Sequence, residues 1–110
     1  MSMPSKDELI QQSVELFKKG NYRLTIHAEQ ERERDEITLK EIEECFGSGT
    51  MELIEDYPED PRGHSFLLLG FTSRREAVHF VCAVHEEELV MITLYKPDPA
   101  KWKNWRERIR

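Results

Sequence analysis

The sequence predicts an α+β fold: N-terminal helices packed on one face of a mostly antiparallel four-stranded meander, with a short C-terminal helix. Two helix starts are marked in the first half by capping boxes, Ser5 with Glu8 and Thr38 with Glu41. After Met51 the apolar runs are strand-length and alternate. The connections between them are short enough to demand antiparallel neighbours. With 110 residues the chain is about one domain long, read as a single unit over 1–110.

Ser5 begins a helix whose Leu9, Ile10, Val14 and Phe17 keep helical spacing until Gly20 stops it, so residues 1–21 form an N-terminal helical segment. Tyr22, Leu24 and Ile26 alternate with Arg23, Thr25 and His27, the pattern of a short strand, although Thr25 serves equally well as a helix cap. From Ile26 to Ile37 the composition favours helix, yet only Ala28 lies between the two isoleucines as an apolar residue. His27, Glu31 and Asp35 fall at i, i+4 and i+8, so a helix puts them on one stripe with Arg32 beside it. Ile37 and Ile42 then supply a hydrophobic staple around the Thr38 box. That helix carries Leu39, Ile42, Cys45 and Phe46 on one side and ends at Gly47, Ser48 and Gly49.

Met51 to Tyr57 alternates, with Met51, Leu53 and Tyr57 on one face and Glu52 and Asp56 on the other. Pro58 to Gly63 is a turn by composition. Ser65–Phe71, Ala77–Val84 and Leu89–Tyr95 complete the meander. In the third of these four strands Val78, Phe80, Cys82 and Val84 share a face, opposite His79, Val81 and Ala83. In the last, Thr93 and Tyr95 lie opposite Val90, Ile92 and Leu94. The wholly apolar face belongs to the helices; the other, with His79, Thr93 and Tyr95, is half-covered and meets the polar helix at one end. Asp98 caps a last helix with Pro99 at its first position, and Trp102 within it docks on the sheet.

The net charge of −6 is uneven. From Lys96 to Arg110 six Lys and Arg face two acids, a local +4 that leaves the first 95 residues at −10. An acidic body repels phosphate and leaves the basic tail as the electrostatic handle. Cys45 and Cys82 sit in no metal or redox spacing and read as buried apolar residues of a cytoplasmic protein. The N-terminus has no apolar signal region and no run is long enough to span a membrane, so no membrane association is expected. Nucleophile motifs, phosphate-cradling glycine loops and dinucleotide fingerprints are missing, and no cofactor or metal is expected.

Four segments together resemble the domain-of-unknown-function family 4258. They are His27-Ala28-Glu29-Gln30-Glu31-Arg32 with Asp35 and Ile37; Glu55-Asp56-Tyr57-Pro58 through Pro61-Arg62-Gly63 and Ser65; His79-Phe80-Val81-Cys82; and Ile92 through Pro99 with Lys101 and Trp102. The likeness runs over 24–102, leaving the first helix outside. That family is similar to the RelE/MqsR-like toxin fold, and its genes often sit beside a small zinc-finger antitoxin of the YgiT/MqsA type. The resemblance implies a RelE-like fold, a toxin of a type II toxin–antitoxin pair acting as an mRNA endoribonuclease, and such an antitoxin as partner. The chain departs from the pattern at His64, where proline is usual, and in its acidic body.

Metal-free RNA cleavage needs a base for the 2′-hydroxyl, an acid for the leaving 5′-oxygen and a cation for the phosphorane charge. His27 or Glu31 is the candidate base, His79 or Tyr95 the acid, and Arg32 and Lys96 the cations. Ordinary structural roles compete for each. His27, Glu31, Arg32 and Asp35 can form surface pairs along one helix, and His79 in an apolar strand can be a satisfied core histidine. A metal held by His27, Glu31 and either Asp35 or His79 is a further alternative. So is a non-catalytic binding module that keeps the fold and, being acidic, meets a basic partner or forms a homodimer.

Overall fold

The computed structural model describes residues 4–110; the first three positions of the 1–21 segment lie outside the described residues. The elements are α1 (Lys6–Lys18), β1 (Tyr22–Leu24), α2 (Ile26–Arg34), α3 (Leu39–Gly47), β2 (Glu52–Tyr57), β3 (Ser65–Phe71), β4 (Ala77–His85), β5 (Glu88–Tyr95), β6 (Trp102–Lys103) and β7 (Glu107–Arg108). The fold is α+β, as the periodicity requires. The meander β2–β3–β4–β5 is antiparallel throughout, and β1 adds a fifth strand parallel to β5, giving the order β1-β5-β4-β3-β2. Tyr22 and Leu24 therefore do form a strand, and Thr25 also caps the helix that follows. The Thr25 hydroxyl donates to the Ile92 carbonyl at 2.7 Å while accepting from the Ala28 amide at 3.0 Å, which pins the start of α2 to β5.

Both capping boxes are formed. One layer of helices covers the apolar sheet face, and an aromatic chain crosses the core: Phe17 of α1 stacks on Phe46 of α3 at 4.5 Å, and Phe46 meets Phe80 of β4 edge-on at 5.2 Å. Ala28 is the buried residue of α2. Leu39, expected on the inner side of α3, is 48% exposed at the first position of that helix, and Ile42, Cys45 and Phe46 make its buried side.

Three sequence expectations are corrected. Pairing of β2 with β3 slips between Leu53 and Glu55, leaving Ile54 extra. The bulge turns Glu55 and Tyr57 to the face opposite Met51 and Leu53, where strict alternation had placed Tyr57 with them. A second slip, between Val81 and Cys82, makes Ile92 the extra residue of β5. Leu89, Met91 and Leu94 thereby enter the core, while Val90 stands opposite Ala83 on the outer face. Thirdly, the C-terminus is not a helix. Asp98 closes one turn, its carbonyl accepting from Lys101 and Trp102, but the chain then reverses through left-handed Asn104 (φ 52°) and Trp105 (φ 66°) into the β6–β7 hairpin.

Gly70 of β3 lies beneath α3, where an added Cβ would sit 2.7 Å from the Cys45 Cβ. Gly70→Ala is therefore expected to destabilise the fold by about 1–3 kcal/mol, read as a lower urea midpoint at unchanged slope.

Candidate functional site

The β6–β7 hairpin covers one end of the outer sheet face. Its anchor is His79, fully buried on β4. The imidazole Nε2 lies 2.7 Å from the Trp105 carbonyl and Nδ1 3.2 Å from the Tyr95 hydroxyl. Trp102, 6% exposed, presses its ring at right angles to the imidazole at 4.5 Å, and Tyr95 does so less steeply at 5.3 Å. The docking of Trp102 expected from sequence is thus present, in a hairpin instead of a helix.

Two arginines on the hairpin clip it to β2. Arg106 donates to both carboxylate oxygens of Glu52, at 2.8 and 2.7 Å, and Arg108 does the same with Glu55, at 2.8 and 3.0 Å. The Arg108 guanidinium also lies 4.6 Å from the centre of the Trp102 ring, and the Tyr57 hydroxyl donates to Glu55. Much of the basic tail is therefore spent inside the molecule. The two clips are partly exposed ion pairs worth about 0.2–1 kcal/mol each, whereas burying Trp102 contributes about 2–3 kcal/mol, so packing on His79 dominates the docking.

Where this covered end meets α2 there is a cavity of about 430 Å³. Tyr95, Lys96 and Trp102 line one side with Asp98, Lys101 and Arg108; Glu31, Arg34 and Asp35 line the other. Arg34 pairs with Glu31 and lies 3.6 Å from Asp35. Asp35 accepts from the Lys96 amide at 2.9 Å, tying the end of α2 to the end of β5. The Lys96 ammonium is 3.3 Å from Glu76. Lys101 has no ion-pair partner among the described residues.

Of the six site residues read from sequence, Glu31, Tyr95 and Lys96 share this cavity, and His79 stands directly behind Tyr95. His27 is off the wall; its side chain is 62% exposed and lies 3.5 Å from Glu31. Arg32 points elsewhere, donating to Glu29 and to the Ile37 carbonyl at 3.2 Å, and so braces the turn between α2 and α3. Sequence reasoning missed Arg108 and Glu55, and gave no role to Arg34 or Lys101. No spacing in the sequence joins Glu52 and Glu55 to Arg106 and Arg108: the glutamates stand three residues apart and the arginines two, and the β2 bulge brings them into line. Among the described residues no three His, Cys, Asp or Glu side chains group as metal ligands. His79, one candidate for the third ligand, already has a partner at each ring nitrogen.

Burial sets the protonation states. It lowers the pKa of His79 from its ordinary 6.5, outweighing the Trp105 carbonyl and the nearby Glu55 charge, and it raises that of Tyr95. Burial also opposes the charge on Glu55, but the hydrogen bonds from Arg108 and Tyr57 prevail and hold its carboxyl below the usual range. Both members of the Tyr95–His79 pair are accordingly neutral at neutral pH.

Residues 24–96 match the sequence profile of a family described as a domain of unknown function, DUF4258, and the chain belongs to that family. No curated protein and no solved structure matches it. The matched span contains Glu31, His79, Tyr95 and Lys96 and ends before the hairpin that covers them. No helix among the described residues is long and apolar enough to cross a membrane.

A buried neutral histidine must take up a proton on unfolding once the pH drops below the unfolded value. The contribution of His79 is therefore full above about pH 6.5 and is lost as the pH falls toward its lower folded value. Chemical denaturation at pH 7 and pH 5 is expected to show a loss of stability in the wild type that is smaller in His79→Gln.

Proposed function

For this member of family 4258 we propose a toxin-like role in a type II toxin–antitoxin pair, with cleavage of an RNA phosphodiester as its activity and a small zinc-finger antitoxin as its partner. The observation that carries the proposal is the meeting of a Tyr95–His79 proton pair with Arg34, Lys96, Lys101 and Arg108 around one open cavity. Attack of a 2′-oxygen on the adjacent phosphorus needs a group to take the hydroxyl proton, a group to protonate the departing 5′-oxygen, and positive charge for the phosphorane. Tyr95 backed by His79, and the Glu31 carboxylate, serve proton transfer. In this reading Lys101, which lines the cavity, protonates the leaving oxygen, and the charges of Arg34, Lys96 and Arg108 offset that of the phosphorane. His27 and Arg32 drop out of the chemistry and keep structural roles.

A second reading is favoured by the charge pairing. Arg106 and Arg108 are held by β2 carboxylates and Arg34 by Glu31, which leaves little positive field for nucleic acid. On that reading the protein is a non-catalytic binding module and the cavity receives a partner's side chain.

Induction of the chain alone in a bacterial host separates the two. Growth arrest is expected with the wild type and with His27→Ala, but not with Tyr95→Phe or Lys101→Ala at matched soluble level. In purified form Tyr95→Phe should reduce RNA cleavage by about 10²–10⁴-fold. A folded wild type that neither arrests growth nor cuts RNA favours the binding module.

A further inference from the structure

We infer that the C-terminal hairpin is a positioning device: the Trp105 carbonyl, presented by a left-handed turn, fixes the tautomer of His79 and so makes the Tyr95 hydroxyl oxygen a hydrogen-bond acceptor toward the cavity. The inference rests on the reading of that cavity as the functional site.

A carbonyl only accepts, so the Nε2 that lies 2.7 Å from Trp105 carries the hydrogen and donates it. A neutral imidazole has one N–H, so Nδ1 is left with a lone pair. The Tyr95 hydroxyl, 3.2 Å away, donates to that lone pair. Its hydrogen is thereby spent inward, and what it offers a ligand in the cavity is the oxygen. The opposite tautomer would set the Nε2 lone pair against the carbonyl oxygen and free the Tyr95 hydrogen for the ligand, inverting the polarity of the site. A ligand hydroxyl, such as that of a ribose, is matched by the first arrangement, which puts Tyr95 on the proton-accepting side.

The groups that face His79 are Tyr95 from β5, Glu55 from β2, and Trp102, Trp105 and Arg108 from the hairpin. Of these, the Trp105 carbonyl is the one that reaches Nε2. Its position depends on the backbone, since Asn104 at φ 52° and Trp105 at φ 66° both occupy the left-handed region that a bulky side chain disfavours. The turn is closed by the Arg106 amide donating to the Lys103 carbonyl at 3.0 Å, and the hairpin by the Ile109 amide donating to Lys101 at 2.8 Å. This segment lies outside the span matched to the family, so the polarity of the site is set by residues beyond the shared domain.

The test is a long-range ¹H–¹⁵N correlation spectrum of the imidazoles in the full chain at neutral pH, with His79 assigned by loss of its signals in His79→Gln. The wild type should show a protonated Nε2 and an unprotonated Nδ1. Trp105→Gly keeps the carbonyl, suits a left-handed φ and should preserve that pattern. Trp105→Pro, whose ring fixes φ near −65°, cannot hold the turn and should give averaged or reversed tautomer signals. A wild type protonated at Nδ1, a Trp105→Pro variant with an unchanged pattern, or loss of the pattern in Trp105→Gly would overturn the inference. If Trp105→Pro fails to fold, the wild-type and Trp105→Gly spectra still decide. The readout uses neither RNA nor growth, so failure of the toxin proposal is distinguishable from failure of this one.

Discussion

A single imidazole organises the outer half of the molecule. His79 is buried on a face that has no helix layer, and each of its ring nitrogens needs a partner there, because an unpaired polar group in that position costs about 1–3 kcal/mol. Tyr95 supplies one from the neighbouring strand. The other comes from a segment 26 residues later in the chain. The C-terminal fifteen residues, which by composition look like a solvated basic tail, therefore fold back as a hairpin with Trp102 against the imidazole and its arginines on β2.

This arrangement also settles where charge is available. Arg106 and Arg108 lie over Glu52 and Glu55, and the acidic body is partly neutralised by its own C-terminus. Where β5 ends and α2 passes, the cavity carries Lys101, which has no ion-pair partner among the described residues, beside Lys96 on Glu76 and Arg108 on Glu55. Asp35 secures that junction through the Lys96 amide, so a polar helix with almost nothing apolar to bury is held by hydrogen bonds at both ends: Thr25 to Ile92 and Asp35 to Lys96. Its inward carboxylates, which have little packing value, become the far wall of the cavity.

Local signals made much of this legible. The capping boxes at Ser5 and Thr38 placed two helices, and alternation in β4 put His79 on the outer face. The stripe from Glu31 to Asp35 and the placing of His79 and Tyr95 on one sheet face brought half of the candidate site into view. What was hidden depends on tertiary structure. A bulge has no reliable local signature, so Tyr57 and Val90 were assigned to the wrong faces. Asp98 followed by Pro99 is a sound helix start, and it was overridden because Trp102 gains more on His79 than a single helical turn would provide. Arg32 belongs to the same polar run as Glu31, but the carbonyl it satisfies, that of Ile37, exists only once the α2–α3 turn is made.

The central claim is that His79 ties the C-terminal hairpin to the sheet, and native-state amide hydrogen exchange in His79→Ala tests it most directly. The core on the opposite face is built by Val78 and Phe80, which the substitution does not touch. The amides of Arg106 and Ile109, bonded to Lys103 and Lys101, are predicted to lose most of their protection while those in the centre of β3 and β4 retain theirs. Arg106 and Ile109 amides that remain as protected as in the wild type would contradict the account.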